Sequence, residues 1–237
     1  MATIHRRPDT LTVGALLAAV GGFLDAYTFI RHHVFANLQS GNFLLFCVEA
    51  TAQHWQRALF MLTPIAAFSA GVLLVEVLGL PRMEHLVRRP LRLVLTLQIT
   101  ALTAIAALPA RMPEQITTVT VSFVAAMQFS TFTTLRDAPY TTLAESGNLH
   151  KALVAAHAWT TTRETAAARR AGRYGTIVTA FVVGALGGAT LTRLLGPPAI
   201  GTAAALLAAV LLTLIHQTRR LEHHKTTPPA PTPPNAH

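Results

Sequence analysis

Six apolar runs, at about residues 11 to 31, 58 to 80, 91 to 109, 115 to 136, 174 to 194 and 197 to 217, each approach the roughly 20 residues an α-helix needs to cross the hydrocarbon core of a bilayer. Within lipid every backbone N–H and C=O must be satisfied by a helix or a closed barrel, so few structures are open to such a chain. The runs are rich in Leu, Ala and Val and lack the alternation of barrel strands. They predict an all-α, polytopic membrane protein of six transmembrane helices. A soluble globule is the poorer description, because 51% apolar and only 12% charged residues, with a mean hydropathy of +0.44, leave too little charge to cover its surface.

The net charge of +9 would suggest nucleic acid in a soluble protein, but here the placement of the cations accounts for it. With the N-terminus cytoplasmic, 15 of the 19 Lys and Arg fall on the cytoplasmic side. Only Arg31, Arg57, Arg111 and Arg193 fall on the other, a bias that orients the chain with both termini inside. No basic patch interleaved with aromatics is present, so no nucleic-acid partner is expected; the expected partner is the lipid bilayer. Cys47 is the lone cysteine, which excludes an internal disulfide and a cysteine metal cluster.

Ser-Gly-Asn occurs twice, at Ser40-Gly41-Asn42 and Ser146-Gly147-Asn148, each after a membrane run. The flanking runs repeat as well. An offset of 106 or 107 residues carries the first run onto the fourth, pairing Ala18-Ala19 with Ala125-Ala126, and the third onto the sixth. An offset of 113 carries the second onto the fifth, pairing Gly71 with Gly184 and Arg57 with Arg170. Three spans per half is an odd number, so the second half enters from the opposite side, as in inverted-repeat transporters. The expected units are a cytoplasmic segment 1–10, a first half 11–110, a second half 111–217 and a disordered cytoplasmic tail 218–237.

Gly21-Gly22-Phe23-Leu24-Asp25-Ala26, Val34-Phe35-Ala36-Asn37-Leu38-Gln39-Ser40-Gly41-Asn42 and Met127-Gln128, in that order, resemble the YoaK-like family of bacterial integral membrane proteins, a domain of unknown function. The resemblance covers roughly residues 10 to 215. Ser40 stands where that family usually has Thr, and Phe129 where it usually has Asn. The resemblance implies a six-helix protein of the bacterial inner membrane and supplies no activity.

Candidate binding residues follow from the repeated tripeptide and from polar groups at membrane depth. Ser is a favoured N-cap, Gly permits close backbone approach, and each copy precedes a segment too short to span, 43 to 53 and 149 to 160. These segments are either re-entrant half-helices whose amides attract an anion or ordinary capped helices at the interface. Asp25, with Asn37, Gln39 and Asn42 close behind it, is suited to binding a cation or carrying a proton, or else to bonding loop amides. Gln98 and Gln128 are buried amides that glue helices or meet a solute, and Gly184, Gly188, Ala67 and Gly71 mark close helix contacts.

H-E-x-x-H and G-x-S-x-G are absent, and neither Ser40 nor Ser146 has a base at a diagnostic spacing. No enzymatic activity, cofactor or metal is expected. The sequence points to a small-solute or ion transporter with its site between the halves, at Asp25, Asn37, Gln39, Ser40, Gly41, Asn42, Gln128, Ser146, Gly147 and Asn148. The alternative is a non-catalytic structural or regulatory membrane protein.

Overall fold

The computed structural model describes residues 10–83, 90–109, 112–132, 134–135, 138–139 and 145–226. Eight α-helices dominate them: α1 (Leu11–His32), α2 (Gln39–Thr51), α3 (Trp55–Leu78), α4 (Pro90–Ala107), α5 (Glu114–Thr131), α6 (Glu145–Thr162), α7 (Thr165–Leu195) and α8 (Gly201–Thr226). A two-residue antiparallel bridge, Thr134–Leu135 with Ala138–Pro139, is the sole extended structure among the described residues. Arg6, Arg7, Arg88, Arg89, Arg111 and Arg136, which entered the charge count, lie outside them.

Among the described residues, five helices are long and apolar enough to cross a membrane: α1, α3, α4, α7 and the stretch Pro197–Gln217 that contains most of α8. Their outer faces carry exposed Leu73, Val77, Val183, Leu186 and Leu212, side chains that a soluble surface does not gather in such number. The sixth expected span, α5, does not reach that apolarity, because Glu114, Gln115 and its Thr and Ser residues dilute it. Ten of its eighteen residues are buried, so neighbouring helices rather than lipid surround it. Polar side chains are tolerated there as they would not be on a lipid-facing helix.

The helices alternate in direction. The C-terminal ends of α1 and α4 meet the N-terminal ends of α3 and α5 and the Pro197 turn that starts α8, around two adjoining cavities. We call this the vestibule end; α2 joins α1 to α3 there, and α6 joins α5 to α7 at the opposite end. Arg31, Arg57 and Arg193 lie at the vestibule end. Arg82, Arg92, Lys151, Arg163, Arg169, Arg170 and Arg173 lie at the other.

Two helix pairs make the largest contacts, α1 with α7 and α3 with α5. In addition α2 packs on α3, α6 on α7, α4 on α8, α1 on α8 and α4 on α5. Glycine sets the first pairing. A Cβ on Gly188 would lie 2.8 Å from the Phe23 Cα, and one on Gly184 would collide with the Ala19 carbonyl, so the α1 and α7 backbones touch. Because Ala19 meets Gly184 and Phe23 meets Gly188, the two helices run parallel. Gly71 plays the same part between α3 and α5, where a Cβ would lie 2.7 Å from the Phe123 carbonyl oxygen and the Ala126 Cβ. Thus the small residues singled out in the second and fifth runs pack against the first and fourth, not against each other. α1 is the most enclosed of the five spans, with 67% of its most apolar stretch buried against 22–33% for the others.

The segments after the tripeptides differ from expectation in extent and in capping. α2 begins at Gln39 and α6 at Glu145, so Ser40 and Ser146 are helical residues of the first turn, both exposed. The N-cap position of α2 is Leu38, with no side-chain bond to the helix, so Ser40 caps nothing. Both helices lie on the outside of the bundle: Asn42 is the one buried residue of α2, and Asn148 and Ala155 those of α6. At the C-terminus α8 continues to Thr226, past the expected boundary at 218, because no Pro or Gly interrupts the chain before Pro228.

Candidate functional site

The structure brings Asp25, Asn37, Gln39 and Asn42 together, and their polar atoms hold the turn between α1 and α2. The chain leaves α1 through His33, in the left-handed region at φ 56°, and folds back along the end of that helix. The backbone groups of this turn must find partners away from water. Asn42 Oδ1 accepts from Phe35 N at 2.9 Å, and Asn42 Nδ2 donates to Phe35 O at 2.7 Å and to Gln39 Oε1 at 2.9 Å. Thr28 Oγ1 accepts from Ala36 N at 3.1 Å. Asp25 Oδ1 accepts from Asn37 N at 2.8 Å, and Asn37 Nδ2 donates to Gly21 O at 2.9 Å. Gln39 Nε2 donates to Ala36 O at 2.8 Å. The carboxylate of α1 therefore sits at the approach to α2, where its charge also complements the helix dipole.

Gly41 is required by this packing, since a Cβ there would fall 2.9 Å from the Phe35 ring; Gly147 faces open space within 4 Å. The two tripeptides thus share a buried Asn, and their Ser and Gly differ in surroundings. Gln128 Nε2 donates to Leu17 O and Gln98 Nε2 to Val124 O, both at 2.9 Å, which ties α5 to α1 and α4 to α5. Leu17 and Val124 are equivalent under the 107-residue offset.

Asn148 Nδ2 donates to Glu145 Oε1 at 3.5 Å across the first turn of α6. Burial pushes the Glu145 carboxyl up to about 7, an effect that the Asn148 bond only partly opposes. A carboxyl that ionises later folded than unfolded binds the extra proton in the folded state. Stability is therefore lost as pH rises from the ordinary glutamate range to about 7, and stays lost above it. Melting curves of the detergent-purified protein between pH 5 and 8 should show this fall, and Glu145→Gln should flatten it. A fall of equal size in the variant would assign it to another group.

The open space lies elsewhere. A cavity of about 460 Å³ at the vestibule end is lined by Arg31 and His32 of α1, Arg57 and Met61 of α3, and Glu114 and Gln115 of α5. A second, of about 140 Å³, shares Arg31, His32 and Glu114 and reaches Ile105, Leu108 and Thr117. His32 borders both. It is 7% exposed, both ring nitrogens are buried without a hydrogen-bond partner, and Nδ1 lies 3.8 Å from Glu114 Oε2. Arg57 Nε lies 3.3 Å from Glu49 Oε1, and Glu49 also meets His54 Nδ1 at 2.9 Å. Below the vestibule, Thr118 and Ser122 follow Glu114 at intervals of four along one face of α5. Their buried hydroxyls lack partners, as do Gln98 Oε1, Gln128 Oε1, Thr131 Oγ1 and Thr192 Oγ1. Among the described residues no three His, Cys, Asp or Glu gather as a metal-ligating set.

Sequence reasoning passed over His32, Glu114 and Gln115, which line the larger cavity. Arg31 and Arg57 entered it as orientation signals, although each is a polar residue at the end of an apolar run on one side of the membrane. That shared end is the signal that would have collected them.

The family model of DUF1275, proteins of unknown function, matches residues 13–213, and the chain belongs to that family. An uncharacterised family is what the resemblance implied, although the match does not carry the YoaK-like name. No curated protein and no solved structure shows a significant match to the chain.

Proposed function

We propose that this member of the DUF1275 family is a membrane permease for a small solute or ion, with its site between two inverted three-helix halves. The observation that carries the reading is the polar column of α5 beneath the vestibule. Thr118 and Ser122 present buried hydroxyls without partners, an expensive arrangement inside a bilayer unless water or a solute visits them. α5 is then the sixth span, less apolar than the rest because its neighbours shield it and its inner face lines a path.

The helix contacts support the inverted halves. Exchanging α1 with α5, α2 with α6, α3 with α7 and α4 with α8 turns the α1–α7 contact into α5–α3, α2–α3 into α6–α7 and α1–α8 into α5–α4, all of which occur. Gly184 against Ala19 becomes Gly71 against the Ala126 region, which also occurs. α1 and α5 point in opposite directions, as inversion requires. The unequal distribution of cations supports a periplasmic vestibule end, with both termini in the cytoplasm.

A permease must open its midplane to water from each face in turn. Ser122→Cys, in a Cys47→Ser background, places a nearly isosteric thiol halfway along α5. In oriented vesicles, a charged, membrane-impermeant thiosulfonate should modify it when added on either face, at rates that change reciprocally between conformations. Gln115→Cys and Glu164→Cys mark the two surfaces, and each should react from one face only, residue 115 from outside. Modification of Ser122→Cys from a single face would leave a structural or regulatory membrane protein as the better description.

A further inference from the structure

Resting on the permease reading of the vestibule, the structure assigns it a substrate class: we propose that it binds a short-chain organic monocarboxylate, carboxylate toward Arg31, His32 and Arg57 and alkyl chain on Phe60 and Met61.

Charge points to an anion. Arg31 and Arg57 line the larger cavity with one carboxylate, Glu114, and Arg57 is already paired with Glu49 at 3.3 Å, so Arg31 is the guanidinium left without an ion pair among the described residues. Backbone polarity adds to it. α3 and α5 both begin at this cavity, at Trp55 and Glu114, and neither N-cap residue, His54 or Pro113, supplies a side-chain acceptor. The orphan amides of two helices of 24 and 18 residues thus open toward the same space as hydrogen-bond donors, while the C-terminal ends of α1 and α4 there offset the dipoles.

The independent mark of a ligand is His32. An imidazole only 7% exposed with both nitrogens lacking a hydrogen bond is an incomplete polar site, and it borders both cavities. A carboxylate oxygen on its cavity side supplies the missing acceptor to whichever nitrogen carries a proton. Glu114 is a poor substitute, held at 3.8 Å with its own side chain 64% exposed.

The remaining walls select the rest of the molecule. Phe60 and Met61 line the larger cavity with the guanidiniums, and Ile105 and Leu108 line the adjoining one. A volume of about 460 Å³ exceeds what a halide fills and suits a small metabolite. One guanidinium without an ion pair, Arg31, suits one carboxylate better than two. Glu114 then acts as the resident competitor: its carboxylate faces the same cations and repels the incoming anion, so that its removal strengthens binding.

The test uses the full chain purified in nanodiscs, with calorimetric titration by butyrate, butylammonium and 1-butanol, molecules of similar chain and different charge. Butyrate should saturate a single site, and the other two should not. Arg31→Gln, an exposed position whose folding a melting curve verifies, should weaken butyrate about tenfold. Glu114→Gln should tighten it several-fold, and Glu164→Gln at the other end should leave it unchanged. Preference for butylammonium, weaker butyrate binding in Glu114→Gln, or no saturation by any of the three overturns the assignment. Butyrate binding with Ser122→Cys modified from one face only keeps the anion site and removes the permease. Two-faced modification with no butyrate binding does the reverse.

Discussion

Gly184→Ala should strongly destabilise the folded protein. A Cβ at that position would overlap the carbonyl oxygen of Ala19 and lie within 2.6 Å of its carbonyl carbon and Cα. All three obstacles are backbone atoms of α1, which cannot rotate aside as a side chain can. Nor can the helices separate locally: Gly22 meets Phe181 and Ala185 backbone atoms, and Gly188 meets Phe23, along the same parallel interface. Relief therefore requires moving α7 off the most enclosed helix in the bundle. Overpacking a core costs about 1–3 kcal/mol where side chains can adjust, and this site lacks that freedom, so we expect at least the upper end. Against a typical total stability of about 5–15 kcal/mol, that loss is a large fraction, and the melting temperature and the monodisperse yield should both fall. Gly71→Ala should act in the same direction with a smaller effect, because one of its two closest obstacles is the Ala126 methyl. Gly187→Ala is the control, with open space around it and an intrinsic helix preference for alanine. Size-exclusion profiles and melting curves in detergent check the series; a normal Gly184→Ala profile would mean that α1 and α7 are farther apart than described.

That interface was legible in the sequence in kind but not in partner. Gly184 and Gly188, spaced four apart in an apolar run, announce a close helix contact. Nothing in the spacing says which helix comes close, and the structure pairs α7 with α1 through a parallel crossing between distant segments. The apolar runs were legible because a bilayer imposes a length and forbids unsatisfied backbone, constraints that act on each segment alone. α5 is the exception that clarifies the rule. Its apolarity falls short of a span, and burial among α1, α3 and α4 is a tertiary fact. The vestibule was illegible for the same reason. His32 and Glu114 are distant in sequence and become neighbours only because α1 and α5 run in opposite directions and end at the same face. Charged residues at the ends of apolar runs carry orientation and function in the same letters, and the cation count absorbed Arg31 and Arg57 into the first.

The repeated tripeptide separates most clearly under substitution. Asn42→Ala should destabilise the protein by about 3 kcal/mol, with Ser40→Ala within about 0.5 kcal/mol of the parent. Asn42 is fully buried, and its amide supplies both a donor and an acceptor to Phe35 as well as a bond to Gln39. Truncation strands the Phe35 N–H, the Phe35 carbonyl and the Gln39 oxygen together, and a buried group left without its partner costs about 1–3 kcal/mol. Ser40 points away from this network and bonds no helix terminus. If the hydroxyl mattered through capping, Ser40→Ala would cost about 1 kcal/mol, and melting curves of the two variants would then converge. Their separation would identify the Asn as the structural element of the tripeptide. Because the turn it holds also fixes where α1 ends, Asn42→Ala should in addition loosen His32 and Arg31 beside the vestibule. Butyrate binding should then weaken in step with stability, whereas Ser40→Ala should leave both unchanged.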